Sequence, residues 1–114
     1  MLKAENRLRS DSDFKKVKDK GTLTQSEDFA LATLDRGDAN PTRFGFVVST
    51  KISKSAVARN GIKRALRASV AGLIIRVKAG QDVVFLVKAV IMKKKIKEVA
   101  YEVERVMQNA KLIT

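Results

Sequence analysis

The chain contains no cysteine and no histidine. Without cysteine there is no disulfide framework and no thiolate metal site. Without either residue, neither a Ser-His-Asp nor a Cys-His nucleophile arrangement can be assembled. Aromatic residues are scarce, five Phe and one Tyr in 114 residues, so most of them have to serve the core of so small a domain. The hydrophobic runs are too short to span a bilayer, and no stretch carries the large aromatics of an interfacial anchor. The opening MLKAENRLRSDSDF lacks the apolar core of about 7–15 residues that a signal peptide needs. No Walker-type loop and no GxGxxG occurs. Paired-carboxylate hydrolysis would need two acids facing one cleft. The acids here show no signature spacing and are best read as solubilising and capping groups. These absences disfavour a protein-only enzyme and lead to the expectation of a cytoplasmic protein.

What the chain has in excess is positive charge. Lys and Arg number 24 against 12 acids, a net charge of +12 with a pI near 10.3. Clustered basic charge is the electrostatic footprint of a nucleic-acid binder. The cluster lies in KISKSAVARNGIKRALRASV, residues 51–70. On a helix advancing about 100° per residue, Arg59, Lys63, Arg67, Asn60 and Arg64 fall within an arc of roughly 140°. Ala58, Ile62, Ala65, Leu66, Ser69 and Leu73 fall on the other side, fit to lie on a core. No acid occurs from residue 51 to residue 81, so no intrahelical ion pair offsets the repulsion between these cations. An ordinary solvated helix face explains that poorly; a polyanionic partner explains it well.

Around this helix the chain, expected to form a single domain over residues 1–114, divides as follows. Residues 1–9 read as polar, basic and extended. Ser10 with Asp13 three residues later resembles a capping box for a short helix over 11–20, ended by Gly21. Residues 22–27 suggest an edge strand. Strands over 29–34 and 43–50 flank the turn-rich DRGDANP and read as an antiparallel hairpin. Gly45 in mid-strand marks a place of close approach by a backbone or a ligand. The basic helix starts between Ser53 and Ala58 and ends near Gly72. Residues 82–88, DVVFLVK, have the apolar character of a central strand, and the strand–helix–strand succession predicts a parallel pair with a right-handed crossover. The last helix, over 96–112, has Ile96, Val99, Ala100, Val103, Val106, Met107 and Ala110 at helical spacing, with Tyr101 packing beside them. Exposed aromatics could stack unpaired bases. Of Phe14, Phe29, Phe44, Phe46 and Phe85, the best surface candidate is Phe14, while Phe44, Phe46 and Phe85 belong to the core.

ARNGIKRALR, residues 58–67, resembles the RNRxKRxxRE signature of the bacterial ribonuclease P protein component. ENRLRSDSDFKKV is similar to that family's NRL…DF opening, FALATLD to its first long strand, and RFGFVVSTKISKSAVARN to its RxGxxVSKKxGxAVxRN block. The resemblance implies an α/β (α+β) two-layer sandwich in the order αβββαβα. This fold is shared with a domain of ribosomal proteins and has a left-handed βαβ crossover, against the handedness rule. It implies a protein that binds ribonuclease P RNA, which performs the Mg²⁺-dependent removal of the 5′ leader from precursor tRNA, and that grips the leader itself. The Mg²⁺ would be bound mainly by the RNA, and the protein would be monomeric without RNA and inactive alone, with no membrane or small-molecule partner. Lys51, Lys54, Arg59, Asn60, Lys63, Arg64 and Arg67 would face the catalytic RNA. Phe14, Lys18, Ala32, Arg43 and Ser49 would line or border the leader cleft.

The chain departs from the family pattern at four places. Gly61 stands where the second arginine of RNR is usual, roughly 200° from Arg59 and off the centre of the basic stripe. Ala68 replaces a glutamate, Lys18 a second cleft phenylalanine, and Ala32 a tyrosine. Two aromatics fewer and one lysine more imply leader binding that rests on phosphate contacts rather than stacking, hence one that weakens steeply with salt. Two further readings remain at this level. A structural RNA-binding protein of ribosomal type would share the fold and charge. A DNA-binding module with the basic helix in the major groove would require a dimer.

Overall fold

The computed structural model describes residues 2–113. The first helix, α1 (Asp11–Lys20), has Asp11 and Asp13 in its first turn and Lys18 and Lys20 in its last, the order that complements the helix dipole. Its N-cap geometry is present, but the expected capping box is not. The Ser10 side chain makes no cap hydrogen bond; its hydroxyl lies 2.8 Å from that of Ser12. The segment before α1 is not simply extended, as a 3₁₀ turn spans Ala4–Asn6 and Leu2 and Leu8 are buried. Met1, the first residue of that expected segment, and Thr114, the last of the expected domain, lie outside the described residues.

Four strands follow: β1 (Thr22–Gln25), β2 (Phe29–Asp35), β3 (Arg43–Val47) and β4 (Gln81–Val87). They form one sheet in the order β1-β2-β4-β3. β1 and β2 pair antiparallel, Thr22 opposite Thr33. The expected hairpin of β2 with β3 does not form, because β4 lies between them, antiparallel to β2 and parallel to β3. The reason is that β4 is apolar on both faces, and such a strand is satisfied only with a neighbour on each edge and cover on each side. The connection from β2 to β3 wraps the start of β4. The Arg36 amide donates to the Gly80 carbonyl, and the Gly80 amide to the Asn40 carbonyl, each at 2.8 Å.

The second helix, α2 (Ala56–Ala71), links β3 to β4, and α3 (Ile96–Asn109) closes the chain. Together with the sheet they enclose the main core. Phe29, Leu31, Phe44, Phe46, Val83 and Phe85 meet Leu66 and Val70 of α2 and Val99, Val103, Val106 and Met107 of α3. Phe85 is its centre, edge-on to Phe29 at 5.2 Å and stacked on Phe46 at 5.3 Å. On the opposite face of the sheet, α1 seats Val17 and Phe14 over Ala32, Val84, Val47 and Leu86.

Two residues of the last helix depart from expectation. Ile96 is 75% and Tyr101 62% exposed; Tyr101 carries the Arg105 guanidinium 5.7 Å above its ring instead of packing inward. The helix also stops earlier than its periodicity suggests. Lys111 adopts φ 62°, and the amides of Lys111 and Leu112 turn back to the Gln108 and Met107 carbonyls. This is the Schellman arrangement, with lysine where glycine is usual. It folds Leu112 and Ile113 into the core.

Candidate nucleic-acid interface

Ser55 caps α2, its hydroxyl accepting from the Ala58 amide at 3.2 Å. With Leu66 and Val70 buried against the core, the helix is rotated so that its cations divide by direction. Asn60 and Arg64 are exposed, pointing away from the protein, while Arg59, Lys63 and Arg67 are half-buried along one flank. Arg59 folds back, its Nη1 donating to the Ser53 carbonyl at 2.9 Å and bracing the loop that carries the exposed Lys51 and Lys54. Arg67 lies 5.9 Å over the Phe46 ring, a cation–π placement that fixes its direction.

Lys63 opens onto a trough between α1 and β3. Its larger part, about 590 Å³, is lined by Asp11, Phe14, Lys15, Lys18 and Asp19 of α1, by Phe46, Val47 and Val48, and by Lys63. A smaller part of about 250 Å³ adds Arg7, Leu8, Arg9, Phe44, Gly45 and Arg67 while sharing Phe14, Phe46 and Lys63. Six cations therefore line the trough against two acids. The expected RNA-binding helix and the expected leader cleft are one continuous surface, joined at Lys63 and Arg67.

Phe14 sits at its centre. A Cβ at position 45 would lie 2.4 Å from the Phe14 ring, so Gly45 is the seat on which that ring rests. The close approach expected at Gly45 is this side chain, not a ligand. Lys18, one turn after Phe14, is exposed in the trough wall.

Ala32, Ser49 and Arg43, also expected to line or border the cleft, are not among the trough's lining residues. Ala32 is fully buried beneath α1, opposite Leu23 and Val84 in the sheet, so no ligand reaches it; a small residue there lets α1 sit close. Ser49 is exposed beyond the end of β3. Arg43 grips Asp82 with two hydrogen bonds, Nε to Oδ1 at 2.8 Å and Nη2 to Oδ2 at 2.7 Å. It also reaches Asp13 of α1 at 3.5 Å. Arg36 donates to the same Asp82 at 2.5 Å. Burial would raise the Asp82 carboxyl, but its hydrogen bonds from Arg43 and Arg36 outweigh that and hold it below the usual carboxylate range. Arg43 thus fixes α1 to the sheet and shapes the trough from its end.

Sequence reasoning did not single out Arg7, Arg9 or Lys15. Lys15 follows from the placement of Phe14, since α1 carries both on its trough side. Arg7 and Arg9 do not: they are brought in by one isolated bridge from Arg7 to Phe44 and by the Leu8 amide on the Phe44 carbonyl at 2.9 Å. That contact spans too few residues to leave a periodic pattern.

The sequence model of the Ribonuclease P family matches residues 2–111. The chain belongs to the ribonuclease P protein family. It is 37% identical over 113 residues to the ribonuclease P protein component of Pseudanabaena sp., covering 99% of this chain and 97% of that relative. To the component from Rippkaea orientalis it is 30% identical over 112 residues, covering 95% and 88%. The RNase P protein of Staphylococcus aureus superposes with a TM-score of 0.88 at 25% identity, over 96% of this chain and 98% of that one. The fold is also that of the Thermotoga maritima RNase P protein, with a TM-score of 0.80 at 23% identity over 90% and 96% of the two chains.

Among the described residues no group of three or more His, Cys, Asp or Glu side chains could hold a metal ion. Also among the described residues, no helix is long and apolar enough to cross a membrane.

Proposed function

We propose that this protein is the protein subunit of ribonuclease P, working with a catalytic RNA in the Mg²⁺-dependent endonucleolytic removal of the 5′ leader from precursor tRNA. The observation that carries this reading is the continuity of the basic flank of α2 with the trough at Phe14, in a chain of this family. Asn60 and Arg64, with Lys51 and Lys54, face outward to take phosphates of the structured RNA. Lys63 and Arg67 stand at the border, and Lys18, Lys15 and Phe14 receive the single-stranded leader in the trough. A predominantly cationic groove with a half-exposed aromatic ring in it has the general form of a single-strand binding site. The protein binds and orients; the RNA holds the Mg²⁺ and carries the hydrolysis, so the protein alone is inactive. It acts in the cytoplasm and is a monomer before it meets the RNA.

Reconstitution tests this. Mixed with a bacterial ribonuclease P RNA at low Mg²⁺, the protein stimulates leader removal, and changing Lys63, Arg64 and Arg67 together to alanine abolishes the stimulation. No stimulation by the unaltered protein, together with tight binding to another structured RNA, would instead make it a structural RNA-binding protein of ribosomal type.

A further inference from the structure

On the flank of α2 away from the trough lies a second groove, of about 270 Å³, between α2 and α3. Ala58, Gly61, Ile62 and Ala65 line it from one side, Ile91, Ile96 and Val99 from the other, with the stem of Lys94. The Lys94 ammonium is already paired with Glu27 and lies 3.9 Å from Asp28. Beside the groove Val57 is 81%, Met92 50% and Ile96 75% exposed. Gly61 is unexplained by packing within the chain, since a Cβ there would meet nothing within 4 Å, yet glycine inside a helix costs about 1 kcal/mol relative to alanine. Lys93, Lys95 and Lys97 are exposed around Ile96.

Charge and lining together select the occupant. A second copy of the chain would bring +12 against +12, which repels. A nucleobase would find no aromatic ring among the lining residues, and the polar side chain there, Lys94, is already engaged; stacking and edge recognition need both kinds of group. Aliphatic walls, with exposed Lys93, Lys95 and Lys97 at the end where α3 begins and only Glu98 among them, fit aliphatic side chains carried on an acidic helix. From Ala58 to Ala65 the groove runs about 10 Å along α2 at 1.5 Å per residue, the span of anchors at i, i+3 or i+4, and i+7 on a docked helix. We propose that the α2–α3 groove is a docking site for an acidic amphipathic helix of a partner protein. It is separate from the trough and does not depend on the leader reading.

The test uses the full chain and three probes at about 0.15 M salt, where long-range attraction is screened. The first is a designed helical peptide of about 18 residues with leucines at the anchor spacing and glutamates elsewhere. The second has the leucines changed to serine, and the third is a short oligouridylate. Amide NMR shifts and fluorescence anisotropy are followed. The leucine peptide binds about tenfold or more tighter than the serine peptide, with shifts centred on Ala58, Gly61, Ile62, Ala65 and Val99. Ile96→Glu, at an exposed position, loses that tenfold while the spectrum stays folded. Equal binding of the two peptides, shifts confined to the α1–β3 trough, or groove shifts produced by the oligouridylate and not by the leucine peptide would each overturn the proposal.

Discussion

Gly45 shows how a single residue builds the site. Phe14 can rest against β3 while lining the trough only because position 45 has no side chain. Gly45→Ala, with its methyl 2.4 Å from ring carbons of Phe14, should cost about 1–3 kcal/mol in urea unfolding. Phe14→Ala should absorb most of that cost in the double variant; strict additivity would mean the two do not touch. Two buried carboxylates give opposite pH signatures. Asp82, held below the usual range by its two arginines, supports the fold above the unfolded-state pKa of about 3.9, and that support is lost as pH falls through its lower folded value. Asp28 is fully buried with neither oxygen hydrogen-bonded, and burial first of all raises its pKa. Its contribution is therefore most favourable at low pH and deteriorates as pH rises from the unfolded value through the raised one. Asp28→Asn should raise the melting temperature at pH 7, and the gain should vanish toward pH 4. A lower melting temperature at pH 7 would show that the nearby Lys94 charge outweighs burial.

At the scale of elements, local chemistry was legible and long-range pairing was not. The start of α1 was read from Ser10, which stands at its N-cap although the expected capping box does not form, its stop from Gly21, and α2 from its apolar stripe; these signals lie within a few residues of each other. The position of β4 between β2 and β3 is set by partners 39 to 58 positions away, and the hairpin inferred from the turn-rich connection was the natural local error. The grip of Arg43 on Asp82 was likewise hidden, because the two lie 39 positions apart. Ile96 and Tyr101 sit on or beside an apolar stripe in sequence but at its exposed margins in the structure. The division of α2's cations by direction was equally hidden, since a helical projection gives angles but not which neighbour each flank meets. It has a measurable consequence. Lys63 and Arg67 should each neutralise about one phosphate, so Lys63→Ala with Arg67→Ala should weaken single-stranded RNA binding by this protein. The slope of log affinity against log salt should become shallower by about 0.7 for each phosphate no longer neutralised. An unchanged slope would place the RNA away from the trough.

For the whole molecule, the arrangement is a sheet with a helix pair on one face and a short helix on the other. α2 is the ridge between two grooves of different character, one cationic with an aromatic floor and one aliphatic with lysines nearby. The clustered charge and helical projection of residues 51–70 located that ridge, and the fold supplied what stands on either side of it. In the proposed division of labour, the cationic trough holds the leader of precursor tRNA while the outward face of α2 holds the catalytic RNA. The decisive measurement is the affinity of the reconstituted ribonucleoprotein for precursor tRNA with and without its 5′ leader, for the unaltered protein and for Lys15→Ala with Lys18→Ala. Both lysines are exposed on α1, so the fold is retained. The double variant should bind the leader-bearing tRNA alone more weakly, by about three- to tenfold, with a smaller salt dependence. Equal weakening on both tRNAs, or none on either, would place the leader outside the trough.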